Sequence, residues 1–383
     1  MADTLAATAR YGMLDRLLHR LAFVHPGLQR VLGELESDLF RQRLATTRVE
    51  RPVFVAGLPR AGTTLVLELL YGTGEFASFT YRQMPFVLNP LLWDRLGARS
   101  RRAAVAGERA HGDAMMIGFD SPEAFEEVLW INYLSDTLFD GDSMRTLGPE
   151  DLTDAFRTAY RQLAEKLVCL SSGPGLPSRR YLSKNNPNIA RLPAIASVFD
   201  DATMLVCFRH PATHVASLHA QHRRFLDMHA ADAFAERYMT WIGHHDFGRT
   251  FRPIRFGARS GTRGGDERSA EPAADERPNG PPVAGADPAY WLRYWIDAYR
   301  HVLEVAPPRA RLVCFEDLLE DGAGALARLA DRVALERPAS LLDAAPTLRA
   351  PTSTPASLES LSREMADEAI GLYALMRERA ASR

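Results

Sequence analysis

Short runs of almost uninterrupted apolar residues are the most regular feature of this chain. Four such runs, at 52–56, 180–183, 203–208 and 311–315, predict buried strands. Continuous hydrophobicity is typical of strands in a parallel sheet, because helices cover both faces of such a sheet. Helical patterns separate the four runs. The order of strand, helix and strand therefore predicts an α/β fold built on a doubly wound parallel sheet with helical decorations.

Helical spacing of apolar residues is clearest at the two ends of the chain. Residues 1–50 repeat leucine at this spacing and predict an N-terminal helical lead-in to a domain over 51–383. The leucines are Leu14, Leu17, Leu18 and Leu21, then Leu32, Leu35 and Leu39. Ser121 and Pro122 predict a helix start, because serine caps helices and proline fits their first turn. A last helix is predicted at about 358–378.

One long segment departs from these patterns. Residues 257–288 are rich in Gly, Pro, Arg, Asp and Glu and hold almost no large apolar side chain. Such a composition buries too little apolar surface to offset the entropy of ordering. The segment is predicted to be a flexible insertion within the domain.

Charge and composition exclude several classes of protein. The 383 residues are 46% hydrophobic with a formal net charge of −2. The chain has no long basic run, so nucleic acid is not expected as a partner. The chain shows neither a signal-peptide core nor eighteen consecutive apolar residues, which predicts a cytoplasmic protein with no membrane span. Arginines outnumber lysines 44 to two, a bias that suggests a GC-rich coding sequence and a bacterial source.

Cysteine and histidine spacing gives no indication of a metal site. The three cysteines share no CxxC spacing and are predicted to be reduced and structural. They are Cys169, Cys207 and Cys314. Several histidines fall close together on one predicted helix, but no HExxH accompanies them. They are His210, His214, His219 and His222.

A glycine-bounded loop follows the first predicted strand. It reads Gly57-Leu-Pro-Arg-Ala-Gly-Thr-Thr and leads into a helical pattern. Backbone N–H groups and the positive end of a helix dipole bind phosphate in such loops. In the Walker A spacing G-x-x-x-x-G-K-[ST], Thr63 stands at the lysine position and the cation is Arg60. A guanidinium suits sulfate better than it suits the β,γ-phosphates of ATP with magnesium.

This loop resembles the 5′-phosphosulfate loop of sulfotransferases that use 3′-phosphoadenosine-5′-phosphosulfate (PAPS). The resemblance implies nucleotide contacts from six consecutive residues: Pro59, Arg60, Ala61, Gly62, Thr63 and Thr64. The segment from Tyr181 to Ser217 resembles the family's 3′-phosphate segment. There an arginine at a strand end and a serine eight residues later bind the 3′-phosphate, and Arg209 and Ser217 match them. A weaker match follows at Val313-Cys-Phe-Glu-Asp-Leu.

The resemblance also implies residues for the chemistry. In the subset that includes tyrosylprotein sulfotransferases, a lysine 25 residues before the 3′-phosphate arginine steadies the transferring sulfuryl group, and Lys184 has that spacing from Arg209. Arg60 is expected to act beside it. The sulfate end of PAPS carries one negative charge, so these cations are expected to suffice without a metal.

The general base is less firmly indicated. The tyrosylprotein subset uses a glutamate shortly after the loop, but residues 79–85 offer Gln83 and no carboxylate. Cytosolic sulfotransferases use a histidine two residues after a basic one, and Arg109-Ala-His111 is similar, with Asp113 to orient the imidazole. His111 is therefore the predicted base. The alternatives are Glu123, Glu126 and Glu127.

Together the motifs predict a sulfotransferase that moves a sulfuryl group from PAPS to a hydroxyl and releases 3′-phosphoadenosine-5′-phosphate (PAP). The acceptor is left open among small molecules, lipids and carbohydrates, and so is the oligomeric state. A non-catalytic PAPS- or PAP-binding protein is one alternative. An atypical P-loop kinase is another, although it should carry a lysine in the loop.

Overall fold

The computed structural model describes residues 13–97, 107–108, 116–117, 121–171, 178–257, 285, 287–349 and 361–382. Its helices, in chain order, are α1 (Met13–Phe23), α2 (Pro26–Leu39), α3 (Arg41–Leu44), α4 (Thr63–Gly72), α5 (Pro90–Gly97), α6 (Glu127–Leu138), α7 (Asp154–Ser171), α8 (Leu192–Val198), α9 (Pro211–Ala231), α10 (Ala233–Trp241), α11 (Pro288–Val305), α12 (Phe315–Glu320), α13 (Gly322–Arg332), α14 (Ala339–Leu342) and α15 (Arg363–Ser382). Its strands are β1 (Val53–Ala56), β2 (Phe76–Ala77), β3 (Gly107–Glu108), β4 (Met116–Ile117), β5 (Phe139–Asp140), β6 (Ser143–Arg145), β7 (Arg180–Lys184), β8 (Thr203–Phe208), β9 (Ile254–Arg255) and β10 (Ala310–Cys314).

A five-stranded parallel sheet forms the centre of the fold, in the order β10-β8-β1-β7-β2. The central strand β1 pairs with both neighbours, and Val55 lies opposite Lys184 on one side and Leu205 on the other. The helices that follow the strands cover both faces of this sheet, as parallel connections require. The structure confirms the predicted doubly wound α/β fold, and the four predicted strands match β1, β7, β8 and β10 to within one residue at each end.

Alternate residues of each strand supply two separate hydrophobic cores. Phe54 packs into the core that contains Trp130 and Trp295, whereas Val53 and Val55 pack against the helix α4 side. This alternation follows from the two-residue period of a strand. The site-bearing loops are therefore anchored by strands that are buried on both faces.

One strand was missed and one predicted helix start was wrong. The strand β2 was not predicted, because Phe76–Ala77 is too short to produce a pattern. The helix predicted to start at Ser121 begins instead at Glu127. The preceding backbone is extended, since Glu123 N donates to Phe79 O at 2.9 Å and Pro122 forms a bridge with Thr80. Pairing across the two segments overrides the local capping signal.

The N-terminal helices pack directly on the rest of the chain. Lys166 Nζ of α7 lies 3.1 Å from Glu36 Oε2 of α2, with both side chains buried, and donates to Gly33 O at 2.7 Å. The predicted insertion at 257–288 lies, apart from residues 257, 285, 287 and 288, outside the described residues. Among the helices that the structure describes, not one combines the length and apolarity needed to cross a lipid bilayer.

Candidate active site

Four loops meet at the carboxyl edge of the central sheet. They follow β1, β7, β8 and β10, and each begins where a buried strand ends. Ligands of open α/β sheets bind at this edge, because the strand order reverses there and the loops part. The predicted binding residues therefore lie at the place where such a fold forms a site.

The loop after β1 requires glycine at both of its ends. Gly57 has φ +149°, and a Cβ there would lie 2.6 Å from the Cys207 carbonyl oxygen. Gly62 has φ +90°, and a Cβ there would lie 2.5 Å from Phe315 Cδ2. Gly62 is also the residue before α4, and none of the described side chains caps that helix end. The N–H groups of the first turn of α4 are thus oriented for an anion.

Helix α9, which follows the neighbouring strand β8, supports this loop. His214 Nε2 lies 2.8 Å from the carbonyl oxygen of Pro59, and the imidazole is fully buried. Because a carbonyl oxygen only accepts, Nε2 carries the proton and donates. Burial lowers the pKa of His214 to about 3, so the ring is neutral at physiological pH. The contact fixes the loop relative to α9 without adding a charge.

The two predicted nucleotide-binding segments touch each other. Arg60 Nε donates to Ser217 Oγ at 3.2 Å, which joins the loop after β1 to helix α9. Arg209, at the end of β8, is buried, and its guanidinium lies over the Phe315 ring at 5.1 Å. Burial lowers the pKa of Arg209; Glu316 opposes this effect and Arg60 adds to it. Two arginines that repel each other in a partly buried site favour a polyanionic ligand.

Lys184 is the last residue of β7 and is buried rather than solvated. It shares a strand face with Leu182, on the side of the sheet that α4 covers. Burial raises the pKa of the Cys207 thiol to about 12, and the positive charge of Lys184 opposes that rise. The lysine is therefore near the ends of both β7 and β8. It thus places a cation at the carboxyl edge of the sheet, where the four loops meet.

A chain of hydrogen bonds starts at Thr63, the first residue of α4, and runs away from the loop after β1. Thr63 Oγ1 donates to Asn186 Oδ1 at 3.2 Å, and Asn186 Nδ2 donates to Asp246 Oδ2 at 2.8 Å. Neither Asn186 nor Asp246 was predicted as a site residue. Asn186 follows Lys184 by two residues, so its place after a strand was a usable signal. Asp246 comes from a distant loop and has no comparable signal.

Two of the glutamates that were alternatives for the base are engaged in buried hydrogen bonds. Glu127 forms a buried ion pair with Arg191 at 2.7 and 2.8 Å, and also accepts from Asn185 Nδ2 at 2.7 Å. Glu126 accepts from Tyr181 OH at 2.9 Å and from Asn188 Nδ2 at 2.9 Å. Both glutamates are fully buried, with an exposure of 0%. They therefore hold the layer beneath the site together and do not face an acceptor.

Of the other residues considered in the search for a base, two are hydrogen-bonded within the site region and two lie outside the described residues. Glu123 is 5% exposed and accepts from Tyr81 OH at 2.7 Å and from Ala124 N at 2.8 Å. Gln83 is buried and its Oε1 accepts from Thr80. His111 lies outside the described residues, as does Asp113.

The three cysteines are free and buried, as predicted. No group of three or more His, Cys, Asp or Glu side chains is arranged to hold a metal ion within the described part of the chain. His210 caps α9, and the other three clustered histidines lie on that helix.

Comparisons with known proteins bear on the family. A family model described as "Sulfotransferase family" matches residues 52–256. A solved sulfotransferase from Mycobacterium tuberculosis is 13% identical, with a TM-score of 0.47 over 100% of this chain and 90% of that one. A sulfotransferase from Mycobacterium avium is 15% identical, with a TM-score of 0.48 over 88% of this chain and 80% of that one.

The sulfotransferase domain of the curacin biosynthetic pathway is 12% identical, with a TM-score of 0.36 over 86% of this chain and 99% of that domain. No curated protein matches the chain by sequence. The family model spans more than half of the 383 residues and includes the loop after β1, the ends of β7 and β8, and Ser217. The chain therefore belongs to the sulfotransferase family.

Proposed function

We propose that the protein transfers the sulfuryl group of PAPS to a hydroxyl of an acceptor molecule and releases PAP. The hydrogen bond of 3.2 Å from Arg60 Nε to Ser217 Oγ carries this proposal. It brings the loop that resembles a phosphosulfate loop together with the segment that resembles a 3′-phosphate site. A nucleotide with anionic groups at both its 5′ and 3′ ends has the charge distribution that such an arrangement would bind.

The proposed roles follow from where the residues lie. The backbone of residues 59–64 and the first turn of α4 would hold the 5′-phosphosulfate, with Arg60 on its oxygens. Arg209 and Ser217 would bind the 3′-phosphate. Ser217 Oγ accepts from Arg60, and its own hydroxyl proton can be donated to the 3′-phosphate at the same time.

Lys184 would stabilise the negative charge that builds on the transferring group and on the leaving phosphate. Its place at the end of β7, beside the loop, supports this role. Electrostatic stabilisation of this kind commonly contributes about 10²- to 10³-fold in rate. The acceptor is expected to be a molecule with a free hydroxyl; small molecules, lipids and carbohydrates all provide one.

Calorimetric titration of the protein with PAP, and separately with ATP and magnesium, tests the donor without knowledge of the acceptor. We expect tight binding of PAP and negligible binding of ATP with magnesium. The reverse preference would favour an atypical kinase and overturn the proposal. PAP binding without turnover of PAPS by any hydroxyl compound would favour a non-catalytic nucleotide-binding protein.

A further inference from the structure

A narrow cleft opens directly beside the phosphate loop. Leu58 and Pro59 of that loop form one wall, and Asn186 and Asp246 lie on the polar side. Phe251 and Tyr294 form an aromatic wall, with ring centroids 6.4 Å apart in an edge-to-face arrangement. The cleft therefore adjoins the residues proposed to hold the sulfuryl group. Arg252 also lines it, and the remaining lining residues are mainly apolar.

The backbone between α10 and β9 brings Asp246 to this position. Gly243 has φ +74°, and a Cβ there would lie 2.4 Å from Glu127 Cγ and 2.6 Å from Ile131 Cδ1. Only glycine permits so close an approach to α6 in this conformation. His244 Nε2 also donates to Ala124 O at 3.0 Å, which ties the same segment to the chain before α6. The segment is thus held against the site by backbone geometry.

Asp246 has one oxygen engaged and one available. Its Oδ2 accepts from Asn186 Nδ2 at 2.8 Å, and Asn186 in turn accepts from Thr63 Oγ1 at 3.2 Å. Its Oδ1 accepts no hydrogen bond from the residues that the structure describes. The carboxylate is half-buried. It is held in orientation by an amide and keeps a lone pair for a proton, as a general base requires.

The carboxylates close to the site differ in this respect. Glu126 and Glu127 are fully buried and accept hydrogen bonds at both oxygens. Glu123 likewise accepts at both oxygens, from Ala124 N and Tyr81 OH. Of the described residues that line the cleft, Asp246 is the one that contributes a carboxylate.

On the basis of the proposed function, we infer that Asp246 is the general base. The cleft has a volume of about 10 Å³, which is room for one water-sized group, and we assign it to the hydroxyl of an acceptor with an apolar body, an aliphatic alcohol or a phenol. The acceptor oxygen attacks sulfur while Asp246 takes the hydroxyl proton. The bond from sulfur to the bridging oxygen breaks, and its electron pair remains on the phosphate of PAP. The products are the sulfate ester and PAP, and the proton passes from Asp246 to water.

Asp246→Asn tests the role of the base, because asparagine keeps the shape of the side chain and an oxygen that accepts from Asn186. The assay follows PAP release with 2-naphthol and with 4-nitrophenol at mildly alkaline pH. 2-Naphthol is largely protonated there, whereas 4-nitrophenol is largely ionised and needs no base. We expect kcat to fall about 10²- to 10⁴-fold with 2-naphthol and severalfold or less with 4-nitrophenol.

The ratio of the two rates within one variant does not depend on how much of it is folded. PAP binding by Asp246→Asn should stay within about threefold of wild type, and Asp227→Asn, an exposed carboxylate on α9, is the matched control. Equal losses with both phenols, or kcat within about threefold of wild type with 2-naphthol, would overturn the assignment of the base.

The acceptor class is tested with the same protein on a panel of apolar alcohols, phenols and sugars. Turnover of the first two groups supports the assignment of the cleft. Turnover confined to sugars, or PAP binding with no turnover of any apolar hydroxyl compound, would overturn it. Failure of the wild-type protein to bind PAP would overturn the donor itself, and this outcome is separate from any effect at Asp246.

Discussion

His214 Nε2 donates a hydrogen bond of 2.8 Å to the carbonyl oxygen of Pro59, so the helix after β8 holds the loop after β1. The imidazole is completely buried and its Nδ1 has no hydrogen-bond partner among the described residues. Protonation at Nδ1 would place a charge in the core, close to Arg209 and Arg60. The support of the loop after β1 therefore depends on a histidine that stays neutral.

We expect the free energy of unfolding to fall as the pH drops below about 6.5, the ordinary histidine pKa. Burial lowers the pKa of His214 to about 3 in the native state. Between these values the unfolded chain binds a proton that the native state does not, so stability rises with pH by about 1.4 kcal/mol per unit for this group. Above about 6.5 its contribution is complete.

Urea unfolding at several pH values between about 4 and 7.5 measures this slope. Other histidines add to it, since burial also lowers the pKa of His222 to about 4. His214→Gln should be less stable at neutral pH. Its unfolding free energy should also depend less steeply on pH, by about 1.4 kcal/mol per pH unit, because the variant lacks this titrating group. A variant with the full wild-type slope would show that His214 does not titrate in this way.

Gly62→Ala should weaken both the fold and PAP binding. Alanine at φ +90° is strained, and its Cβ would lie 2.5 Å from Phe315 Cδ2. Displacement of that ring would also remove the surface on which the Arg209 guanidinium rests at 5.1 Å. We expect a loss of about 1–3 kcal/mol of stability and a clear loss of PAP affinity.

Gly72→Ala, at the other end of the same helix, is the control. A Cβ there would meet nothing within 4 Å, and its backbone is helical, so the change should be neutral or slightly stabilising. Thermal unfolding and PAP titration of both variants make the comparison. If the two alanine variants behave alike, the tight approach of Gly62 to Phe315 has no energetic consequence.

Features that are decided by residues adjacent in the sequence were predicted well, whereas features that depend on distant residues were not. The strands β1 and β8 were predictable, because burial on both faces makes almost every residue apolar. The start of α6 was not, since it is decided by pairing between Thr80 and Pro122, 42 positions apart. Local capping preferences cannot anticipate such a partner.

The same distinction applies to the site. Arg60 and Ser217 belong to motifs of fixed spacing, so their roles were proposed from the sequence. In the structure, Arg60 Nε lies 3.2 Å from Ser217 Oγ. Asp246 carries no motif and reaches the site because Gly243 lets its loop lie against Glu127. Glu127 itself was weighed as a base, because its sequence position gave no sign of the buried partner Arg191.

Arg209→Ala is expected to weaken PAP binding by about 10²-fold, since hydrogen bonds to charged groups contribute roughly 1.5–3 kcal/mol each. Adenosine 5′-phosphosulfate lacks the 3′-phosphate, so its affinity should change little. The same substitution at Arg223, which is exposed on α9, should leave both affinities unchanged. Calorimetry with both nucleotides measures the difference. Equal losses for the two would mean that Arg209 does not bind the 3′-phosphate.

We expect Glu127→Gln to destabilise the fold, and any loss of activity in this variant to follow from that loss of stability. Glu127 and Arg191 are both fully buried and joined at 2.7 and 2.8 Å, and the Arg191 guanidinium lies 4.4 Å from the Trp130 ring. Removal of one partner leaves a buried charge uncompensated, at a cost of about 3–5 kcal/mol.

The double variant Glu127→Gln/Arg191→Met distinguishes the two roles of Glu127. It removes both charges, so thermal unfolding should return towards the wild-type temperature, and the remaining sulfotransferase activity should return with it. If Glu127 were the base, Glu127→Gln would show no turnover even at temperatures at which it is folded and binds PAP. In that case the double variant would stay inactive as well, because methionine at Arg191 restores no proton acceptor.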